Sequence, residues 1–206
     1  MRALATRIYD RLAGAFGREA RGGGRPASEP ALDAEYASGR WDYFFGPDEA
    51  PRYDLLVRVV RETHARPRVL DVGCGSGRLA ALLAGGPLTE YLGVDLSREG
   101  LRRAGALGLP AARFVHGDFE SWRPDGQWDL IVFNETVGYA RDPGRVAAAF
   151  ARSLAAGGAL VVSYFRAGHH LAIWRRLAAR FQVTREETVA NARGQTWDVK
   201  VLRLPS

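Results

Sequence analysis

The sequence predicts an α/β protein whose mostly parallel, doubly wound sheet has helices on both faces and ends in an antiparallel hairpin. From residue 67 onward, short apolar runs alternate with alanine- and leucine-rich helical stretches. Such alternation is typical of a parallel sheet covered on both faces. Two strand-like runs then follow at 181–190 and 196–204, joined by residues 191–194. A short connection containing Asn and Gly favours a hairpin.

The strands and helices before the hairpin follow one another in a regular order. Strands are predicted at 68–72, 90–95, 112–116, 128–133 and 158–164. Helices are predicted at 77–85, 98–107, 143–155 and about 170–179. Parallel strands place their carboxyl ends at one edge of the sheet, where ligands of open α/β sheets bind. Residues that follow the strand ends are therefore the candidates for a functional site.

The first 26 residues predict a flexible N-terminal arm. Apolar residues recur at helical spacing and indicate an amphipathic helix over 3–16. A glycine-rich linker, 22–26, separates this helix from the rest of the chain. The apolar stripe consists of Leu4, Ile8, Leu12 and Phe16.

The sequence predicts a helical cap over residues 27–66 and the principal domain over residues 67–206. The cap contains an aromatic-rich segment from Tyr36 to Phe45, followed by a helix over 49–64. No insertion between the later strands is long enough to form a substrate domain. Any cover over the strand ends must therefore come from residues 1–60, from the loop 165–172 or from a second subunit.

The composition is that of one globular domain. The chain has 206 residues, of which 47% are apolar and 25% charged. No apolar run approaches the ~20 residues that a bilayer span requires, and the N-terminus lacks the pattern of a signal peptide. The single cysteine, Cys74, excludes an internal disulfide and fits a reducing compartment. We therefore predict a cytoplasmic protein.

The net charge of +6 lies mostly in the arm. Residues 1–26 contain six arginines and two acidic residues, whereas the remaining 180 residues contain 23 basic and 21 acidic groups. An almost neutral body offers no obvious surface for nucleic-acid phosphates. The basic arm could contact an anionic membrane surface, although a solvated arm is the simpler interpretation.

A glycine-rich turn carries the strongest local signal. The segment from Val69 to Leu79 predicts a buried strand, a turn with three alternate glycines, and the start of a helix. Arg78 replaces the third glycine of a dinucleotide fingerprint, which is Gly-x-Gly-x-x-Gly. Asp71 precedes the turn, and its carboxylate would repel pyrophosphate and favour a ligand that carries an ammonium group.

Each of the next three predicted strands also ends in polar residues. Asp95 ends the second strand, where a carboxylate can accept hydrogen bonds from both hydroxyls of a ribose. Asp118 ends the third, although it could equally be a turn residue. Asn134 and Glu135 end the fourth.

In these motifs the chain resembles the class I, Rossmann-like, S-adenosylmethionine-dependent methyltransferases. The resemblance covers residues 67–204 and implies a seven-stranded sheet with an antiparallel last strand. It also implies S-adenosyl-L-methionine as the cofactor, with S-adenosyl-L-homocysteine as the product. The segment 155–162 resembles the glycine turn before the family's fifth strand. The resemblance implies these cofactor-binding residues: Asp71, Gly73, Cys74, Gly75, Gly77, Asp95, Leu96, Gly117, Asp118, Phe119, Asn134 and Glu135, with Arg40, Trp41 and Tyr43 as a cover.

Methyl transfer is an in-line displacement, so the protein mainly aligns the acceptor with the donor. Aromatic faces of Trp41, Tyr43 and Tyr139 could stabilise the sulfonium cation. A hydroxyl acceptor also requires a base. The candidate bases are His169, His170 and Glu135, although either histidine could instead be a surface or capping residue.

The acceptor is expected to be a hydroxyl or amine of a small molecule, such as a natural-product intermediate, a sugar or a lipid-linked saccharide. Base N-methyltransferases of this fold usually carry Asn/Asp-Pro-Pro-Tyr/Phe where this chain has Asn134-Glu-Thr-Val. Alternatives are an RNA or protein methyltransferase, a non-catalytic cofactor-binding relative and, with less support, an NAD-dependent oxidoreductase. We predict no metal site and no nucleic-acid partner, in a monomer or homodimer.

Overall fold

A computed structural model describes residues 27–167 and 170–205. The predicted arm helix and His169 lie outside these residues. The helices are α1 (Glu29–Ala37), α2 (Ala50–Thr63), α3 (Arg78–Leu83), α4 (Arg98–Gly105), α5 (Pro143–Ala151) and α6 (His170–Ala178), with short 3₁₀ helices at Asp42–Phe45 and Val137–Tyr139. The strands are β1 (Arg68–Val72), β2 (Glu90–Asp95), β3 (Ala112–His116), β4 (Trp128–Asn134), β5 (Leu154–Phe165), β6 (Gln182–Ala190) and β7 (Thr196–Arg203).

The strands form one seven-stranded sheet in the order β3-β2-β1-β4-β5-β7-β6. Strands β1 to β5 are parallel where they pair with one another. Strand β7 is antiparallel to both β5 and β6 and lies between them. This arrangement confirms the predicted α/β class, the number of strands and the C-terminal hairpin. It also brings the ends of β1, β2, β4 and β5 to one edge.

Alternating side chains of the strands form two cores, one on each face of the sheet. On one face, Leu56 of α2 and Leu79 of α3 pack with Val69 of β1. On the other, Phe150 of α5 and Trp174 of α6 belong to a second buried cluster. The two cores confirm helices on both faces, because each face buries apolar area that must be covered. Burying one such side chain stabilises the fold by about 1.5–3 kcal/mol.

The fifth strand begins earlier than predicted. The helix expected over 143–155 ends at Ala151, and β5 already begins at Leu154. Gly157 has a φ of +77°, and the pairing of β4 with β5 shifts register between Trp128 and Leu130. The alanines that suggested a longer helix therefore belong to an irregular strand. The residues described include no helix that is both long and apolar enough to cross a bilayer.

Candidate active site

A cavity of about 250 Å³ opens at the carboxyl ends of the parallel strands. Its walls come from the strand ends, from residues 27–53 and from helix α6. Most of the residues selected from the sequence meet here. The predicted site residues that line it are Trp41, Tyr43, Asp71, Gly73, Cys74, Gly75, Asp95, Leu96, Asp118, Phe119, Asn134 and Glu135.

The glycine turn follows β1 and has a tightly constrained backbone. The amides of Gly73 and Cys74 both donate to the carbonyl of Val94, at 2.8 and 3.0 Å. Gly73 and Gly75 have φ angles of +80° and +52°, a region that disfavours residues with a side chain. A Cβ at residue 75 would overlap the hydroxyl of Tyr36. The turn therefore exposes bare backbone to the cavity.

Asp95 supports this turn from the neighbouring strand. Its Oδ2 accepts from the amide of Gly75 and its Oδ1 from the amide of Ser97, both at 2.8 Å. Burial raises the pKa of Asp95, whereas these amide donors oppose the rise. Each oxygen retains a lone pair, so the carboxylate can also accept from a ligand. Ser97 caps helix α4 by accepting from the amide of Gly100.

Asp71 is a buried carboxyl group with one unsatisfied oxygen. Its Oδ2 accepts a hydrogen bond from Tyr91, whereas Oδ1 has no partner among the described residues. Burial raises the pKa of Asp71 to about 7. The hydrogen bond from Tyr91 lowers this pKa, whereas the negative charge of Asp95 raises it further. An unpaired buried carboxylate oxygen is costly. The Asp71 side chain lines the cavity, where a ligand ammonium group would satisfy that oxygen.

Aromatic residues of the N-terminal segment form a cluster, and its member Tyr36 lies against the glycine turn at Gly75. Trp41 lies 6.2 Å from Tyr36, 6.1 Å from Tyr43 and 5.4 Å from Phe44, measured between ring centroids. The indole nitrogen of Trp41 is buried and has no partner among the described residues. The sequence indicated Trp41 and Tyr43 as a cover, but it did not identify Tyr36, which is 8% exposed.

A buried arginine joins helix α2 to the end of β4. Arg52 is fully buried, and its guanidinium forms an ion pair with Glu49 at 2.7 Å. It also donates to the side-chain oxygen of Asn134. That oxygen accepts a second bond from Ser163 on β5, at 2.8 Å. Neither Glu49 nor Arg52 was selected from the sequence; the Glu-x-x-Arg spacing at the start of α2 is the signal that could have indicated them.

Glu135 follows Asn134 in an unusual backbone conformation. Its φ of +62° is the only positive value at a non-glycine position in the described part of the chain. Such strain is concentrated at functional sites. Oε1 lies 3.0 Å from the Ser163 hydroxyl, and Oε2 accepts from the amide of Phe165 at 2.9 Å. Burial raises the pKa of Glu135, and the nearby charge of Arg52 opposes the rise.

Three predicted cofactor residues lie outside the cavity lining. Gly77 has a φ of +79° and is the N-cap of α3, where a Cβ would meet Ala104. Gly117 packs against Trp122. Arg40 is directed outward and lies 3.2 Å from Glu35. These contacts give each of the three residues a structural role.

His170, the predicted histidine base that the structure describes, does not line the cavity. His170 begins helix α6, and its ring is not part of the cavity lining. Its Nδ1 is buried without a described partner. Of the two candidate bases that the structure describes, Glu135 and His170, only Glu135 lines the cavity.

Comparisons with known proteins agree with this arrangement. A family model described as a methyltransferase domain matches residues 31–198. Trans-aconitate 2-methyltransferase of Deinococcus radiodurans is 36% identical over 131 residues, which are 63% of this chain and 49% of that protein. The namesake from Streptomyces coelicolor is 33% identical over 144 residues, or 66% of this chain and 46% of that protein. The chain thus spans about half the length of these relatives.

The fold also matches solved structures. The N-methyltransferase NodS of Bradyrhizobium japonicum WM9, in complex with S-adenosyl-L-homocysteine, superposes with a TM-score of 0.74 at 19% identity. The match covers 86% of this chain and 98% of NodS. At this identity the likeness establishes the fold and nothing about the acceptor.

Proposed function

Because the chain belongs to the class I S-adenosylmethionine-dependent methyltransferases, we propose that it methylates a hydroxyl or amine of a small molecule. Bound S-adenosylmethionine supplies a methyl group already activated on a sulfonium. The residues of the chain must bind the two reactants, align them, exclude water and remove a proton where the acceptor requires it.

The proposed cofactor site lies over β1 and β2. Asp71 would accept from the methionine ammonium through its unpaired Oδ1, and the bare backbone at Gly73 and Gly75 would admit the methionine moiety. Asp95 would accept from the ribose hydroxyls. Phe119 would pack on the adenine, and Asp118 would accept from its amino group, since both line the cavity beyond Leu96.

The proposed acceptor end lies on the β5 side of the same cavity. Its lining residues are Tyr139, Tyr164, Phe165, Ile173, Arg176 and Trp197. Glu135 directly follows β4 and would lie between the acceptor end and the cofactor site. We assign it the role of proton acceptor. A carboxylate that accepts from the Phe165 amide and shares the Ser163 hydroxyl with Asn134 is held in one orientation, which is what a general base needs.

The observation that carries the proposed cofactor site is the unpaired Asp71 oxygen beside two glycines with positive φ, Gly73 and Gly75. Calorimetry with S-adenosylmethionine and S-adenosylhomocysteine tests the cofactor site directly. Asp95→Asn should weaken binding about tenfold to a hundredfold, because a charged hydrogen bond contributes about 1.5–3 kcal/mol. Asp125→Asn is the matched control, since Asp125 is exposed and away from the cavity.

Unchanged affinity in a folded Asp95→Asn variant would exclude Asp95 from the site. Turnover is then assayed as S-adenosylhomocysteine release with small alcohols, amines and carboxylic acids. Binding of the cofactor without turnover of any acceptor would favour the non-catalytic alternative.

A carboxylic acid is the second candidate acceptor. The relatives named trans-aconitate 2-methyltransferase suggest it, and Arg176 lines the cavity with only a distant partner, Asp142 at 3.9 Å. An arginine in this position could bind a carboxylate. Loss of carboxylic-acid turnover in Arg176→Gln would support this second candidate.

A further inference from the structure

We propose that the acceptor is an amine, bound as its ammonium form between Glu135 and the aromatic rings of the acceptor end. This inference rests on the proposed function and specifies its substrate class. It is carried by the charges of three side chains that line the cavity, Glu49, Arg52 and Glu135, and by the free lone pairs of Glu135.

The buried positive charge at the end of β4 is already paired with a carboxylate. Arg52 is fully buried, and its Nε and Nη2 both donate to Oε2 of Glu49, at 2.8 and 2.7 Å. Its Nη1 donates to Asn134. A buried guanidinium held in this way by a carboxylate and an amide is poorly placed to attract an anionic acceptor.

Glu135, in contrast, has no ion-pair partner within 4 Å among the described residues, although it lines the cavity. Its hydrogen bonds with Ser163 and Phe165 use one lone pair on each carboxylate oxygen. The remaining lone pairs can accept N–H bonds from a ligand. The Ser163 hydroxyl has one hydrogen and also lies 2.8 Å from Asn134, so its support of Glu135 is shared. The charge of Arg52 acts on both Glu49 and Glu135, so these two carboxylates exceed it by one negative charge, which an ammonium would balance.

Aromatic rings complete the environment that an ammonium group requires. Phe165 and Trp197 lie 5.4 Å apart between ring centroids, and both line the acceptor end. Tyr139 and Tyr164 line the same end. Ring faces attract ammonium groups by about 0.5–2 kcal/mol, more when water is excluded. A neutral alcohol gains nothing from this attraction. Glu135 repels a carboxylate, which Arg176 on α6 would attract, so Glu135→Gln and Arg176→Gln distinguish the two acceptor classes.

The chemistry balances with Glu135 as the base. The ammonium transfers one proton to the Glu135 carboxylate, which frees the nitrogen lone pair. That lone pair forms the new N–C bond while the C–S bond breaks and its electrons remain on sulfur. The products are a methylated ammonium and neutral S-adenosylhomocysteine, and the proton on Glu135 is released to water.

The test uses the full chain with S-adenosylmethionine and sets of acceptors that differ only in the reacting group. One set is 2-phenylethylamine, 2-phenylethanol and 3-phenylpropanoate; further sets vary the skeleton. We expect the amine to have the highest kcat/KM in the sets that react. Glu135→Gln should lower amine turnover about 10²-fold or more and leave the cofactor Kd within about twofold. Glu186→Gln, on the exposed face of β6, is the matched control.

Preferential turnover of alcohols or acids, or no amine preference in any set, would overturn the inference while leaving methyl transfer intact. Weaker cofactor binding in Glu135→Gln with an unchanged amine preference would also overturn it, because Glu135 would then bind the methionine ammonium. Failure to bind the cofactor at all would instead contradict the proposed function.

Discussion

The guanidinium of Arg52 donates to the side-chain oxygen of Asn134, which lies 82 residues later in the chain. Because Ser163 donates to the same oxygen, the orientation of the Asn134 amide is fixed from two sides. Helix α2 is therefore attached to the end of β4 at the point where donor and acceptor would meet. The stability of this junction and the geometry of the site are coupled.

We expect Arg52→Met to destabilise the protein by about 3–5 kcal/mol, because it leaves the carboxylate of Glu49 buried without its partner. The double variant with Glu49→Leu should cost less than the sum of the two single changes. Urea unfolding of the four proteins measures the coupling energy. Arg66→Met serves as the control, since this residue is exposed and its side chain has no hydrogen bond or ion pair with the described residues; only its backbone carbonyl accepts, from Thr89.

Additive costs for Arg52→Met and Glu49→Leu would mean that the two side chains do not stabilise each other. Cofactor affinity measured in the same variants separates a local effect from unfolding. A junction that only stabilises the fold predicts unchanged affinity wherever the variant remains folded.

Gly75→Ala should destabilise the glycine turn through two separate effects. The φ of +52° costs an L-residue roughly 1–2 kcal/mol, and the added methyl group overlaps the Tyr36 hydroxyl. Tyr36→Phe removes that hydroxyl and should recover part of the loss. Thermal unfolding of the single and double variants measures it. If Tyr36→Phe recovers nothing, Tyr36 does not pack on the turn as described.

The parts of the site that depend on local sequence could be predicted. Glycines after an apolar strand specify the turn at 73–77, and polar residues at the carboxyl ends of parallel strands must meet at one sheet edge. Asp71, Asp95 and Asn134 were found in this way, because strand alternation alone determines where they lie.

The remaining residues depend on contacts that local sequence does not encode. Arg52 resembles the exposed arginines Arg58 and Arg61 of the same helix, and only the packing of α2 shows that it is buried. In the sequence, Tyr36 is only one of several aromatic residues in its segment. Its contact with Gly75 joins distant parts of the chain, so local sequence does not indicate it. The alanines next to Leu154 favour a helix, but pairing with β4 in the sheet outweighs this propensity. Local sequence therefore does not predict that β5 begins at Leu154.

Protein stability should fall as the pH rises from about 4 to about 7. The Asp71 pKa is raised to about 7 in the folded state, so over this range the folded chain keeps a proton that the unfolded chain has lost. Stability therefore decreases with pH, by at most about 4 kcal/mol from this group. Burial also raises the pKa of Asp95 and Glu135, which adds slope of the same sign.

Chemical unfolding at several pH values tests this, with Asp71→Asn expected to have a shallower slope and Asp125→Asn the wild-type slope. Equal slopes in all three proteins would contradict the raised pKa of Asp71. If the cofactor ammonium contacts Asp71, saturating S-adenosylmethionine should also stabilise the wild type more at about pH 8 than at about pH 6.

Deletion of residues 1–26 should raise the apparent KM of the acceptor and leave cofactor affinity nearly unchanged. The described chain begins at Ala27, which lines the cavity together with Leu32. The predicted helix over 3–16 is marginal in isolation, so its apolar stripe is expected to need a surface to cover. The measurements are steady-state kinetics with an acceptor found in the matched sets, and calorimetry with S-adenosylhomocysteine. Unchanged kinetics, together with co-sedimentation on anionic liposomes that requires residues 1–26, would show instead that the arm binds membranes.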